Sequence, residues 1–391
     1  MSEQPSRDEL IRGLAVLRLA DPVAYGQERK AVAKKLGCGL RYLDQAVEAE
    51  ARRLAVQGAA PKEEADPDEL EAEGRVVLDS EDVLAALRPV LRHLGYAGST
   101  APVELVYLAL HSRLLLRPLN LLLGGTSSAG KTFTLDMATW LHPPEALHDL
   151  TGASEKALIY MEGDFQHKYV AIAEASALQQ DGLAASIVRS LAWGKGLTYS
   201  TVEKDATGRL VSRMIEKPGP TGLITTSTKG LEPELTTRLL EVPIPENVEL
   251  TRQIMRSQAE TAAGTAPPEP DRAPWIAAAR WLEIAGRRHV VIPFARQLAE
   301  VVPADDVRLR RDFTQILTVI STHALIHQRT RDQDSQGRVV ADIDDYEATR
   351  HLLVDVLAVT IDSIPETVRE TIETVQAMLS QHPAGVTVVM L

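Results

Sequence analysis

The residues with the most specific chemistry in this sequence run from Gly125 to Thr132, Gly-Thr-Ser-Ser-Ala-Gly-Lys-Thr. They fit the pattern G-x-x-x-x-G-K-[ST]. Its two glycines, Gly125 and Gly130, let the backbone curl until consecutive N–H groups point at one anion. A helix beginning at about Lys131 would add the positive end of its dipole to that anion. In a loop of this kind the lysine reaches the β- and γ-phosphates of a nucleotide, and the hydroxyl of the next residue holds Mg²⁺. These are the roles of Lys131 and Thr132. The apolar run 119–123, interrupted by Asn120, reads as a short buried strand leading into the loop. Strand, loop and helix in that order are the context the pattern requires.

Further candidates follow the loop in sequence. The stretch Tyr169 to Ala173 reads as an apolar strand, and Glu174 ends it. At such a strand end a glutamate polarises the water that attacks a phosphate, and an aspartate before it helps to hold Mg²⁺. Ala173 stands where that aspartate would be, leaving the metal to Thr132 and water, or to Asp164 or Glu162. The plainer role for Glu174 is a cap on the following helix. Gly222 to Thr228 reads as a third strand that ends in hydroxyls, and Arg238 follows shortly after. A hydroxyl there would orient the lytic water. An arginine at such a place reaches the γ-phosphate held by a neighbouring subunit and stabilises charge on the transferred group. Singly, strand-ending hydroxyls and arginines are commonplace; their order after a phosphate loop makes them a set. His323 and His327 are four apart on an expected helix, but no third ligand accompanies them, which favours buried or solvated histidines over zinc.

The elements that would position these groups can be placed from pattern. An amphipathic helix is expected from Ser80, as its N-cap, to Leu94, stopped by Gly95. A second runs from Pro102 to Leu116 into the loop strand. The stretch Leu197 to Ile215 alternates and turns at residues 205–208, which predicts a hairpin with Lys204 and Arg209 flanking its tip. On the residues alone it is an ordinary surface hairpin. Helices are expected at 275–287, 306–329 and 340–359, with Arg308, Arg310 and Arg311 clustered at the start of the second of these.

Residues 8 to 56 read as helices. Gly37 and Gly39 make a turn, and a following helix presents Arg41 and Gln45, the spacing of a helix-turn-helix. A small helical bundle with a solvated basic face fits equally well. Residues 59–73 carry seven acids, one lysine and two prolines, which predicts an extended linker. Residues 262–274 read as a second linker or long loop, and the tail ends on an apolar run that reads as the opening of a winged-helix module.

Composition bounds the rest. The chain has 391 residues, 45 % apolar and 25 % charged, which suits a globular protein of two or three domains. Its net charge of −12 confines any nucleic-acid contact to local patches. Cys38 is the only cysteine, so neither an intrachain disulfide nor a cysteine-rich metal site is available. The N-terminal residues do not read as a secretory signal, and the longest apolar stretch, 105–123, is broken by His111, Arg113 and Arg117; no membrane partner and a cytoplasmic location are expected.

Taken together, the phosphate loop, Glu174, the hairpin, the hydroxyl strand and Arg238 resemble the AAA+ ATPases of the MCM-like and phage or plasmid primase-helicase kind, over about residues 80–359. The stretches PVELVYLALHSRLLLRPLNLLLGGTSSAGKT, GASEKALIY and GPTGLITTS carry the likeness to ATPases found beside primase modules in mobile elements. The resemblance implies an α/β fold: a three-layer core with a C-terminal helical lid, preceded by a small all-α domain. The corresponding segments are residues 1–58 (helical), 59–78 (acidic linker), 79–262 (ATPase core), 263–362 (lid) and 363–391. It implies that Gly125, Thr126, Ser127, Ser128, Ala129, Gly130, Lys131, Thr132 and Phe133 bind ATP with Mg²⁺. Thr226 and Thr228 bracket the first sensor position, Arg238 is the arginine finger and Arg311 the second sensor. Lys204 and Arg209 sit where such helicases grip single-stranded DNA. The expected assembly is a homo-oligomeric ring of six on single-stranded or forked DNA, served by a separate primase. Two other readings remain open at this point: a nucleotide-switched DNA-binding loader or regulator that does not unwind, and a monomeric P-loop kinase.

Overall fold

The computed structural model of the chain describes residues 10, 11, 13–15, 17, 22–36, 40, 43, 47, 65–127, 129–149, 159, 165–172, 190, 191, 196–204, 209–228, 237–265, 267–302 and 309–361. The chain divides into two compact units, Met1–Asp66 and Pro67–Leu391. In the first, helix α1 (Pro22–Leu36) contributes Tyr25 and Ala33 to a small core with Leu14, Ala15, Leu43 and Val47. The expected turn at 37–39, Arg41 and Gln45 lie outside the described residues, as does the tail 362–391.

The second unit opens with a correction. Residues 59–78 were expected to form a linker, but from Pro67 the chain is helical: α2 (Pro67–Leu78) buries Leu70, Gly74, Val77 and Leu78. Those positions fall on one face of a helix, and Asp68 and Glu69 in the first turn favour its positive end. Helix α3 (Val83–His93) starts later than expected. Its N-cap is Asp82, not Ser80; the extended backbone at Asp82 lets its carboxylate accept the N–H of Ala85 at 2.8 Å. Helix α4 (Ala101–Ser112) is buried on all sides. Its Glu104 takes a two-pronged bond from Arg88, at 2.9 and 3.2 Å, which satisfies a carboxylate inside the protein.

The centre is a five-stranded, wholly parallel sheet, which makes the unit α/β. Its strands are β1 (Leu121–Gly124), β2 (Leu147–Asp149), β3 (Lys168–Ile172), β6 (Thr221–Ser227) and β7 (Leu240–Pro243). They lie in the order β2-β3-β6-β1-β7. Leu121, Leu122 and Leu123 point alternately to opposite faces and all are buried, so β1 is covered on both sides, as parallel sheets require. The chain leaves β1 through helix α5 (Lys131–Trp140), crosses to the far edge, and returns strand by strand to β6 beside β1. It then passes over β1 to β7. All five carboxyl ends therefore share one edge, where ligands of such sheets bind.

A buried histidine pair fixes α5 against α4. His142, just after α5, and His111 approach at 3.1 Å between Nε2 and Nδ1. Burial pushes His111 down to about 3 and His142 well below the ordinary histidine value. Both rings are therefore neutral at physiological pH.

Between β3 and β6 the chain forms the expected hairpin, β4 (Gly196–Lys204) and β5 (Leu210–Pro218), an antiparallel pair separate from the main sheet. Helix α6 (Val248–Ala262) follows β7 and buries none of its residues. The segment 263–362, expected as a lid, holds α7 (Ala273–Ile284), β8 (Val290–Val291), α8 (Ala295–Val301), α9 (Leu309–Ile326), β9 (Val339–Val340) and α10 (Ile343–Ile361). Trp275, Leu282, Val319, Leu325, Leu352 and Val356 join sheet residues Leu121, Tyr169 and Ile224 in one core, so these helices are built into the sheet's own core. Among the described residues no helix is long and apolar enough to cross a membrane.

Candidate functional site

The phosphate-type loop leaves the carboxyl end of β1, at the middle of the sheet. Gly125 has φ 155° and Gly130 has φ 88°, the second a left-handed conformation that a side chain would strain. A Cβ at Gly130 would meet nothing within 4 Å, so conformation rather than space demands glycine there. Gly130 is also the N-cap of α5, and no side chain caps that helix. Its first helical bond is the N–H of Thr134 to the carbonyl of Gly130, at 2.8 Å. The N–H groups ahead of it have no helical partner by construction, and they face the loop. Lys131 is 8 % exposed. Its ammonium folds back over the loop and donates to the carbonyls of Gly125, at 2.8 Å, and Thr126. A cation, bare helix donors and a glycine-shaped backbone thus converge on one small volume, and that donor set suits a polyphosphate. Thr132 and Phe133 are exposed beside it, as are Thr126 and Ser127. Ser128 lies outside the described residues.

Neighbouring strands bring further groups to the same edge. Strand β6 pairs with β1 in the register Leu123↔Thr226 and Gly124↔Ser227. Thr226 is buried, and Thr228 is exposed one step beyond Ser227, level with the start of the loop. On the other side Glu241, in β7, sets a carboxylate oxygen 3.1 Å from where a Cβ on Gly124 would lie. Glu246 accepts the hydroxyl of Thr126. Neither acid was expected. An acid interrupting the apolar run 239–244 was the available signal for Glu241. Glu174 and Ala173 lie outside the described residues; β3 is described to Ile172, which pairs with Thr225.

Arg238 sits at the opposite edge. The pairing of Leu121 with Leu240 puts residues 237 and 238 ahead of the amino ends of β1 and β7. Lys131 follows the carboxyl end of β1, and the two are separated by at least the strand's length, about 10 Å. Arg311, near the start of α9, donates to the hydroxyl of Thr237. It is therefore grouped with Thr237, the neighbour of Arg238, at the amino edge.

No protein-family model and no curated protein matches the chain.

The remaining expected groups divide clearly. The hairpin carries Lys204 as the last rung of β4, paired with Leu210, while its tip, 205–208, lies outside the described residues. Arg209 is exposed, as are Arg213, Val202, Leu210 and Met214. Among the described residues burial is confined to the base, with Leu197 and Lys217, whose ammonium lies 4.8 Å from the centre of the Phe165 ring. His323, His327 and Asp345 do come together, with one ligand-type atom from each within 4.8 Å of the others. His327, however, receives the N–H of Val83 on Nε2 at 3.0 Å, which leaves Nδ1 to donate to the carbonyl of His323 at 2.8 Å. Burial pushes it down to about 4, so it stays neutral. His323 Nδ1 donates to Asp345 at 2.7 Å, and Arg331 binds the same carboxylate at 2.9 Å. Burial pushes Asp345 up, but these donors outweigh it and hold the carboxyl at about 2. Both nitrogens of His327, Nδ1 of His323 and the Asp345 carboxylate are thus already bonded within the protein.

Proposed function

We propose that the chain is an AAA+-type P-loop ATPase that assembles into a homo-oligomeric ring, a hexamer by resemblance, and moves along or unwinds single-stranded or forked DNA. One observation carries this reading. The lysine loop and Arg238 lie at opposite edges of the same sheet, so an arginine completing the site must come from another copy. A head-to-tail interface forms a ring where the repeated rotation closes, and an open filament where it does not. Lys131 and the bare N-terminus of α5 would bind the phosphates of ATP, and Thr132 would hold Mg²⁺. Bound there, the metal would neutralise charge on the phosphates. Thr226 and Thr228 stand at the strand end beside the loop, where a hydroxyl orients water, and Glu174 is assigned the water-activating role. Arg238 and Arg311 of one copy would face the nucleotide of the next.

The exposed hairpin supports a DNA contact. It stands apart from the main sheet, and Lys204, Arg209 and Arg213 give it cationic side chains in an otherwise acidic protein. Such charges track phosphates without reading sequence. The setting we infer, replication of a mobile element in the cytoplasm beside a separate primase, rests on the resemblance.

The test is hydrolysis with and without single-stranded DNA, together with unwinding of a forked duplex. DNA-stimulated hydrolysis and ATP-dependent strand separation are expected. Hydrolysis indifferent to DNA, with no strand separation, rejects the motor and leaves a nucleotide-switched loader.

A further inference from the structure

Phe133 follows the last position that the phosphate-loop pattern specifies. The residue is 43 % exposed, and it is the only aromatic among the exposed large apolar residues of those described. A ring in water on the first turn of α5, directly after Thr132, contributes little to the core. It is nonetheless held in place. Tyr96 stacks on it, with ring centres 5.9 Å apart and planes 12° from parallel. Tyr96 is buried, and its hydroxyl lies 3.2 Å from that of Thr134 on the same helix.

The segment carrying Tyr96 is fixed in turn. At the end of α3, the N–H of Tyr96 reaches the carbonyl of Leu91 at 2.9 Å and that of Gly95 reaches Arg92 at 3.0 Å. With Gly95 at φ 82° this is a Schellman closure. Arg92 then clamps the turn, donating to the carbonyls of Tyr96 at 2.9 Å and Gly98 at 2.5 Å. Two rings from separate segments are thus locked parallel beside the phosphate loop, one buried and one open.

We propose that Phe133, backed by Tyr96, is the platform on which the base of the bound nucleotide stacks. The proposal rests on the phosphate-loop reading above and extends it to the base. The polar atoms that hold the platform, on Arg92 and Thr134, are turned to the Tyr96 and Gly98 carbonyls and the Tyr96 hydroxyl, not to a base edge. Recognition is therefore by area of π-face, and the site takes either purine nucleoside triphosphate.

Binding of ATP, GTP and inorganic tripolyphosphate to the full chain tests this. Phe133→Ala should weaken ATP and GTP about tenfold, as loss of one aromatic stack does, and leave tripolyphosphate unchanged. Phe133→Trp should retain ATP affinity and show a fluorescence change with ATP but none with tripolyphosphate. Equal losses for ATP and tripolyphosphate, or no loss for either, overturn the platform. So does an unaltered chain that separates ATP from GTP by more than about tenfold, beyond what stacking alone supplies. A chain that binds neither ATP nor tripolyphosphate rejects the phosphate loop itself, a different failure from losing the base alone.

Discussion

Two helices of this protein begin in opposite ways. At α10, Asp342 accepts the N–H groups of Asp344 and Asp345, at 3.0 and 3.2 Å, and Asp345 returns a bond to the N–H of Asp342 at 2.8 Å. That is a reciprocal cap, and His323 and Arg331 complete the shell of Asp345. At α5 the cap position is a glycine, and the nearest cation is bonded to loop carbonyls. One end is closed by the chain's own acids; the other supplies a cation and leaves its donors without a capping side chain. The contrast separates scaffold from site better than residue type does. The histidine–aspartate cluster has metal-binding chemistry, but His327 and Asp345 spend theirs on bonds within the protein, whereas the loop's donors suit an anion brought from outside.

Acid should widen the contrast most. His327 and His111 are held at about 4 and about 3, and His142 well below its ordinary value. Because these folded-state values lie below the unfolded one, the unfolded chain takes up protons first as pH falls. Stability is therefore full above about pH 6.5 and lost towards pH 4, at about 1.4 kcal/mol per pH unit for each histidine that stays neutral. Asp345 adds a further loss as pH falls from its ordinary value towards about 2. Thermal midpoints across that range give the measurement; a flat profile from pH 7 to 4.5 contradicts the neutral histidines.

Asp345→Ala comes next. It strips a fully buried carboxylate from Arg331 and His323 and should cost about 3–5 kcal/mol in urea unfolding, with nucleotide affinity intact in the folded fraction. Lys131→Ala should do the reverse: hydrolysis falls about 100-fold or more, while unfolding free energy shifts by about 1–2 kcal/mol, less than for Asp345→Ala, from the lost bonds to two carbonyls. If the two variants behaved alike, the distinction between closed and open helix ends would fail. Asp82→Ala is the smallest, about 1 kcal/mol from an ordinary cap on α3, with no effect on hydrolysis.

Much of this was legible in the sequence because it follows from short-range rules. The strand, loop and helix around Gly125 to Thr132, the strand through Tyr169, the hydroxyl-ended β6 and the hairpin all declare themselves by period and turn residues. What was missed has physical causes. Helix α6 buries nothing, so it has no core-facing stripe for pattern to detect. In α2 the acids obscured Leu70, Val77 and Leu78, which did carry helical spacing. The pairing of β8 with β9 joins residues 290–291 to 339–340, and no local rule reports a parallel rung across that distance. The bond of Arg311 to Thr237 was not legible for the same reason: it depends on how α9 packs, which its neighbours in sequence do not encode.

The proposal that ATP is shared between copies has a direct test. Lys131→Ala and Arg238→Ala chains are purified separately, each inactive, then mixed and assayed for hydrolysis. An intact lysine loop on one chain and an intact arginine on the next should together restore part of the rate. A mixture that co-assembles yet stays inactive would contradict a site built from two copies.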